Sequence, residues 1–221
     1  MGEVDTPTAR TRVLRESQLA VYDRAAVYQI LDEGFICHIG FSVDGQPFVI
    51  PTSYGRLGDV LYVHGSAASR MLRSLSEGLP ACITVTLVDG LVLARSLFNH
   101  SMNYRSVVVL GIASVVDDPV EKVKALHALS EHIMEGRWTE ARQPNARELK
   151  ATTVLRVPIQ EFSAKVRTGP PVDDEEDYGF PVWAGVLPLN LVPGEPIADS
   201  RVTGRLVVPK YVTGYFRKRH P

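Results

Sequence analysis

Residues 35–55 read FICHIGFSVDGQPFVIPTSYG. Every second residue over 35–43 is apolar, and this period of two is typical of a β-strand with one buried face. Asp44-Gly45 favours a type I′ hairpin turn, because both central positions of that turn need a positive φ. The stretch therefore predicts a β-hairpin whose second strand runs over residues 46–55.

The same signals recur along the chain. VLYVHG (60–65) follows a Gly58-Asp59 turn, and ACITVTLV (81–88) with LVLARSLF (91–98) suggests a hairpin around Asp89-Gly90. VVVLGIASVV (107–116) and TTVLRVPIQEFSAKV (152–166) predict two further strands. Strands joined by tight turns pair antiparallel, and this number of them favours a mainly β fold, either a barrel or a sandwich.

Three helices are expected beside the strands. The first ends at Gly34, a suitable C′ glycine. The second is SAASRMLRSLSEG (66–78), with Ser66 as its predicted N-cap and Gly78 as its stop. The third begins at Asp118-Pro119 and carries apolar residues at helical spacing as far as Ile133.

Composition excludes several classes of protein. The 221 residues carry 24 Lys and Arg against 25 Asp and Glu, a net charge of −1. Without a basic excess, neither a nucleic acid nor an anionic membrane is an expected partner. No apolar run approaches the roughly 20 residues of a membrane span, and the polar N-terminus has no secretory signal. The two cysteines form neither a disulfide framework nor a zinc site, so we expect a cytoplasmic protein without a metal.

Three regions differ in character. Residues 1–18 form a polar N-terminal arm, and residues 19–189 contain the predicted β domain. Residues 190–221 are expected to form a C-terminal tail packed on the barrel or on a dimer partner. Proline and glycine are frequent after residue 167 and argue against regular structure there.

Two polar segments are candidates for a site. At VHGSAASR (63–70) a strand gives way to a helix, and Arg70 offers a fork that suits a phosphate, although an ordinary N-cap with a surface arginine explains the same residues. NHSMNYRS (99–106) gathers hydrogen-bonding side chains between two strands. It suits a planar, phosphorylated ligand, and a plain polar loop is the alternative.

Four motifs in order resemble the pyridoxamine 5′-phosphate oxidase-like superfamily, in particular its flavin-nucleotide-binding, nitroimidazole-reductase-like branch. They are DGQPFVIPTSYG (44–55), YVHGSAASR (62–70), SMNYRSVVV (101–109) and SAKVRTGPPVDDEEDYGFPVWAGVLPL (163–189). The resemblance extends from about residue 23 to residue 189. It implies a six-stranded antiparallel split barrel of Greek-key type with flanking helices, which binds FMN at a homodimer interface.

The resemblance also implies the site residues. One strand would follow the edge of the isoalloxazine ring through its backbone groups: Val49, Ile50, Pro51, Thr52, Ser53 and Tyr54. A second segment would hold the ribityl phosphate: His64, Gly65, Ser66, Ser69 and Arg70. A third set would approach the flavin from the partner subunit: Asn103, Tyr104, Arg105 and Ser106. Lys165, Arg167 and Trp183 match a further family segment, where Trp183 would cover the ring or fill the interface.

Departures from the family pattern restrict the function. Pyridoxamine-phosphate oxidases carry an R-x-V-L-L-K strand and an arginine-rich C-terminal clamp, whereas this chain has VIPTSY (49–54) and ends YVTGYFRKRHP. We therefore expect a flavin-dependent oxidoreductase acting on a different small molecule. His64 is its candidate proton donor, or a hydrogen-bond partner of the flavin without a chemical role.

Two alternatives stay open. One is a split barrel that binds haem or the deazaflavin F420, with His64, His100 and His220 as the candidate haem ligands. The other is a flavin-binding module without turnover.

Overall fold

The computed structural model describes residues 5–202 and 206–216. Its strands, in chain order, are β1 (Ala20–Val21), β2 (Ile36–Val43), β3 (Gln46–Ser53), β4 (Gly55–Leu57), β5 (Val60–Ser66), β6 (Pro80–Leu93), β7 (Ser101–Ile112), β8 (Ser114–Val115), β9 (Thr152–Pro158), β10 (Glu161–Arg167) and β11 (Gly185–Pro188). Its α-helices are α1 (Arg24–Glu33), α2 (Arg70–Ser76), α3 (Pro119–Ile133), α4 (Arg137–Glu140), α5 (Ala146–Ala151) and α6 (Lys210–Thr213).

Within the described residues the strands form two antiparallel sheets. The larger has the order β1-β10-β7-β6-β2-β3, with β11 added beside β6, and the smaller has the order β4-β5-β9-β8. The predicted mainly β, antiparallel split-barrel fold with flanking helices is confirmed. There are more strands than the six expected, partly because short strands such as β1 and β11 extend the larger sheet.

The predicted first hairpin is present. Asp44 and Gly45 have φ values of 49° and 79°, as a type I′ turn requires. β2 and β3 pair in the register that places His38 opposite Pro51. Alternate residues of β2 are therefore buried, with Cys37 and Ile39 completely inaccessible.

The predicted hairpin at Asp89-Gly90 is wrong. β6 continues through these residues to Leu93, with a register shift between Val88 and Gly90, and its partner is β7. The glycine serves close packing instead of a turn. A Cβ on Gly90 would lie 3.0 Å from Val186 Cγ1 and 3.1 Å from the Leu187 carbonyl oxygen, both in β11.

The single strand predicted over residues 152–166 is two strands in different sheets. β9 ends at Pro158, and β10 begins at Glu161. Between them, the Ile159 N–H donates to the Asp59 carbonyl oxygen at 2.7 Å. Because both halves are apolar and alternate, the periodicity alone does not show the change of sheet.

The predicted helices are present, with one changed boundary. Asp23 and Asp118 cap α1 and α3 through their side chains. The N-cap of α2 is Ser69 and not Ser66, because β5 pairs with β9 as far as Ser66, opposite Thr152. Gly78 has a φ of +86° just after α2, as its predicted role in ending the helix requires.

The core lies between the facing sides of the two sheets. It contains Ile39, Val85 and Val107 from the larger sheet, Leu61 and Leu155 from the smaller, and residues of α1 and α2. A second cluster, which includes Tyr62, Leu129 and Val154, lies between the smaller sheet and α3. No described helix is both long and apolar enough to span a membrane.

The side of the larger sheet that faces away from the core carries large apolar side chains that are exposed to solvent. We call this side the outer face, and its exposed members include Ile36, Val49, Val88 and Ile112, at 53%, 64%, 45% and 57% exposure. A cavity of about 690 Å³ lies on it, between Val49, Cys82 and Ile112. Monomeric proteins seldom leave such a surface uncovered.

Candidate functional site

β3 lies at an edge of the larger sheet. It pairs with β2 on one side, and no strand pairs with its other side within the described ranges. Val49 and Pro51 are exposed, Ile50 packs against the core, and Thr52 and Ser53 are partly buried. An edge strand presents unpaired backbone donors and acceptors. The segment predicted to follow a flavin ring thus offers backbone groups to a ligand.

Tyr54, the last residue of that segment, contributes its side chain to the core. The side chain is completely buried, and its hydroxyl donates to the Leu31 carbonyl oxygen at 2.5 Å. Its ring centroid is 4.7 Å from that of His132. Only the backbone of Tyr54 remains for a ligand.

The predicted phosphate segment leads from the end of β5 into α2. The Ser66 and Ser69 hydroxyl oxygens accept the N–H groups of Ala68 and Leu72, at 3.2 and 3.5 Å, so each hydroxyl keeps its own proton to donate. Gly65 allows close packing, since a Cβ there would lie 3.1 Å from Leu72 Cδ1.

Arg70 brings this segment against β3. Its guanidinium carbon lies 4.7 Å from the ring centroid of Phe48, a β3 residue. Arg70 is exposed, and no carboxylate of the described chain forms an ion pair with it. The fold therefore joins the predicted ring segment and the predicted phosphate segment, with an uncommitted cation between them.

His64 has an unsatisfied nitrogen. It lies opposite Val154 in the smaller sheet, on the side that α3 covers. Its Nδ1 atom is buried and has no hydrogen-bond partner among the described residues. Burial lowers the pKa of His64 below its ordinary value, which favours the neutral imidazole. A neutral ring nitrogen without a partner can bind a metal ion or accept a proton.

The third predicted set divides between two sides of the larger sheet. Tyr104 and Ser106 lie on the outer face, opposite Arg167 and Lys165 of β10. Arg167 donates from Nη1 to Asn103 Oδ1 at 2.6 Å, and the Asn103 amide donates to the Gly169 carbonyl oxygen at 3.1 Å.

Arg105 is held by two carboxylates. It forms two hydrogen bonds with Asp89 and two with Glu33, and these partners raise its pKa. Its side chain is 13% exposed and that of Glu33 8%. The guanidinium is therefore engaged inside its own chain. Sequence reasoning missed Glu33 and Asp89, since nothing local pairs them with Arg105.

Lys165 and Trp183 are the remaining predicted residues, and Lys165 lies directly opposite Ser106. Lys165 donates from Nζ to the Arg15 carbonyl oxygen at 3.1 Å. Trp183 is 69% exposed, and a Cβ on Gly185 would lie 2.8 Å from its Cζ2 atom, so the indole ring lies against this glycine at the start of β11.

One chain does not bring all the predicted residues together. β7 is separated from β3 by β6 and β2. At about 4.8 Å for each neighbouring pair of strands, β7 lies about 14 Å from β3 and β10 lies farther. The set on β7 and β10 therefore lies at least three strands away from the free edge of β3 in the same chain.

Acidic runs such as residues 173–177 usually form solvated faces, but Asp173 is an exception that the sequence does not reveal. Its side chain is completely buried and accepts the N–H groups of Arg95 and Ser96, at 2.9 and 3.1 Å. Asp173 thereby fixes the loop that carries His100. Asp173 comes two residues after Gly169-Pro170-Pro171, and nothing local distinguishes it from the other acidic residues of the run.

The other two predicted haem ligands are less suitable than His64. His100 is exposed, with Nδ1 3.3 Å from the Leu97 carbonyl oxygen, and His220 lies outside the described residues. The described residues contain no group of three His, Cys, Asp or Glu side chains that could hold a metal ion.

Comparison with known proteins identifies the family. Residues 23–166 match the family model described as pyridoxamine 5′-phosphate oxidase. A search of curated proteins found no match.

Solved structures extend the likeness to nearly the whole chain. The flavocytochrome Anf3 from Azotobacter vinelandii is 41% identical, with a TM-score of 0.90 over 97% of this chain and 100% of that one. The FAD and haem binding protein from Mycobacterium smegmatis is 36% identical, with a TM-score of 0.85 over 89% and 96%.

A more distant structure shows the fold alone. It is a candidate 5-nitroimidazole antibiotic resistance protein from Bacteroides thetaiotaomicron VPI-5482, 24% identical, with a TM-score of 0.55 over 66% and 86% of the two chains. The motifs, the antiparallel sheets and these likenesses agree, and the chain belongs to the pyridoxamine 5′-phosphate oxidase family.

Proposed function

We propose that this protein is a flavin-dependent oxidoreductase that binds a flavin nucleotide between two copies of the chain. The observation that carries the proposal is the free edge of β3 beside Arg70, a cation without an ion-pair partner among the described residues. A planar heterocycle with a phosphorylated side chain matches both features. A relative 41% identical to this chain is a flavocytochrome.

Each part of the ligand has a matching group. Backbone groups of residues 49–54 would bond the polar edge of the ring, and the hydroxyls of Ser66 and Ser69 with the Arg70 guanidinium would hold the phosphate. The flavin, when bound, would supply hydride and one-electron chemistry that protein side chains lack. The chain would bind the nucleotide, orient it and exclude water from it.

Two flavin nucleotides, FMN and FAD, are candidates for the bound cofactor. The family resemblance implies FMN, whereas the relative from M. smegmatis is described as binding FAD. We propose FMN, because the segment 64–70 provides one phosphate-sized group of donors with a single arginine. Titration of the chromophore-free protein with each nucleotide, followed by flavin fluorescence, compares the two directly. Saturable, tighter binding of FMN is expected, and tighter binding of FAD would replace this choice.

The homodimer explains why the predicted residues form two groups. A two-fold partner packed on the outer face would cover Ile36, Val49, Val88 and Ile112. It would also bring its own Tyr104 and Ser106 toward the free edge of β3, from which β6 and β2 separate them in one chain. Light scattering should report a dimer at micromolar concentration, and a monomer there would contradict the shared site.

Haem is a second candidate ligand, bound in addition to the flavin. Two relatives, at 41% and 36% identity, are described as a flavocytochrome and as an FAD and haem binding protein. In this chain the donor that fits is His64, whose buried Nδ1 has no partner among the described residues. Haem would supply one-electron or O₂ chemistry. The His64→Ala variant should lose a Soret band, whereas an unchanged band would exclude His64 as the ligand.

Turnover separates an enzyme from a binding module. We expect the protein to oxidise NADH or NADPH with a quinone or nitroaromatic acceptor. This assay tests for turnover of small-molecule acceptors without assuming a particular substrate. A bound flavin that neither nicotinamide reduces would favour a protein without turnover.

A further inference from the structure

Residues 190–202 and 206–209 lie between two points that are fixed on the body of the protein; we call them the strap. Before the strap, β11 pairs with β6, and the Leu189 N–H donates to the Asp89 carbonyl oxygen at 3.0 Å. After it, the Tyr211 hydroxyl accepts from Arg137 Nη1 at 3.0 Å and bonds the Glu140 carboxylate. The strap is therefore anchored at both ends, unlike a free terminus.

The strap exposes apolar side chains. Leu191, Val192, Ile197, Leu206 and Val207 are 74%, 73%, 96%, 74% and 87% exposed. Among the described residues, the hydrogen bonds of 191–202 stay within the strap, from the N–H groups of Arg201 and Val202 to Asp199. Among the described residues, 191–202 thus gain little hydrogen bonding from the rest of the chain, and the five apolar side chains stay mostly exposed.

The start of the strap adjoins the outer face. A cavity of about 200 Å³ is lined by Leu191 together with Thr86 and Val88 of β6. Val88 belongs to the outer face, which is the surface we propose for the dimer. The strap therefore leaves the body at the border of that surface.

We infer that the strap packs against a second copy of this chain, as an arm that each subunit lays on the other. This inference rests on the homodimer proposed above. Each large apolar side chain contributes on the order of 100 Å² of apolar surface. The five exposed residues therefore present roughly 500 Å² of apolar surface to a partner. A standard interface buries about 800 Å² on each partner. The strap would therefore supply a large share of the contact.

The composition of the strap fits a second copy of this chain as its partner. Its charged residues are Glu195, Asp199 and Arg201, so it carries neither the basic excess that a nucleic acid or an anionic membrane needs nor a strongly acidic surface. Its apolar side chains and the apolar outer face are complementary, and both belong to this chain.

Dimer affinity tests the inference. In an isolated chain, aspartate at Ile197 and Val207 should leave the fold intact, because both side chains are almost fully exposed. In the dimer, the Ile197→Asp/Val207→Asp variant should raise the dissociation constant at least tenfold by analytical ultracentrifugation. The matched control is Val120→Asp, which is 61% exposed in the first turn of α3 and should leave the constant unchanged.

The outcomes separate the two proposals. A wild-type protein that is monomeric throughout would refute the homodimer and the strap inference together. A wild-type dimer whose constant is unchanged by the double variant would refute the strap inference alone and leave the homodimer standing.

A cross-linking experiment gives a second readout on the folded protein. A benzophenone amino acid at position 197, in a mixture of ¹⁴N- and ¹⁵N-labelled chains, should give peptides that join the two isotopes after irradiation. Cross-links confined to single chains would show that the strap contacts its own subunit, against the inference.

Discussion

Arg105 forms a bidentate ion pair with Glu33, with Nη1 2.5 Å from Oε2 and Nη2 2.8 Å from Oε1. The two residues are 72 positions apart and join the end of α1 to the middle of β7. Asp89, at the β6 bulge, accepts two more hydrogen bonds from the same guanidinium. A residue that the resemblance implies as a flavin contact thus holds three elements of its own chain together.

Replacing Arg105 should therefore lower stability. Arg105→Met removes the bidentate ion pair to the buried Glu33 carboxylate, and breaking such a pair costs about 3 kcal/mol. For a chain of this size, that corresponds to a fall in melting temperature of roughly 10 °C. Thermal unfolding followed by circular dichroism measures it.

An exposed ion pair provides the control for Arg105. Arg156 lies 3.4 Å from Glu121 and is 48% exposed, so Arg156→Met should cost less than about 1 kcal/mol. Adding Glu33→Gln to Arg105→Met should restore part of the loss, because an uncharged amide is easier to bury. Equal effects of Arg105→Met and Arg156→Met would contradict a structural role for Arg105.

Gly34 should be intolerant of a methyl group although its φ is an ordinary −69°. A Cβ there would lie 2.5 Å from Val85 Cγ1 and 2.8 Å from the Tyr54 hydroxyl, which is bonded to Leu31. We expect Gly34→Ala to lower the free energy of unfolding by about 1–3 kcal/mol through overpacking. Gly179→Ala, with no atom within 4 Å, is the matched control in urea unfolding and should be close to neutral.

Arg70 should matter for the ligand more than for the fold. Arg70→Gln removes an exposed guanidinium that packs over Phe48, so the melting temperature should change little. Flavin affinity, measured by fluorescence titration, should fall at least tenfold, because a charge-assisted contact to phosphate is lost. Arg73 is also exposed and lies three residues further along α2, so Arg73→Gln should keep the wild-type affinity. Equal affinity in both variants would place the phosphate elsewhere.

His64 should make the chromophore-free protein sensitive to acid. Burial lowers the pKa of His64 in the folded state, so the unfolded chain binds more protons as the pH falls through the ordinary histidine range. Stability from this residue is therefore present above that range and is lost below it. His64→Gln should flatten the fall in melting temperature between pH 7.5 and 5.5. His100→Gln, at an exposed position, serves as the control and should keep the wild-type slope.

Local features of the fold were predictable from sequence. The type I′ turn at Asp44-Gly45, the caps at Asp118 and Gly78 and the alternation in β2 each depend on a few neighbouring residues. The bulge at Asp89-Gly90 was not predictable from sequence. Gly90 is required there because β11, nearly a hundred residues later in the chain, packs closely against it. A Gly-containing pair has the same local signature in a turn and in a bulge.

The sequence predicted which segments form the candidate site, but it did not predict which contacts their side chains make. Contacts such as Arg70 over Phe48 join segments that the motifs had already marked. The partners of Arg105 and the buried carboxylate of Asp173 depend on long-range packing, which residue types and spacing do not encode. How the two groups of site residues meet would depend on the second chain that we propose.

The visible absorbance spectrum of the purified protein, followed by mass spectrometry of the chromophore released by heat, decides whether the protein binds a flavin. We expect a two-band flavin spectrum and the mass of FMN, with an additional Soret band if haem is bound at His64. A colourless protein that takes up neither FMN nor FAD would contradict the proposed function and leave only the fold and the family.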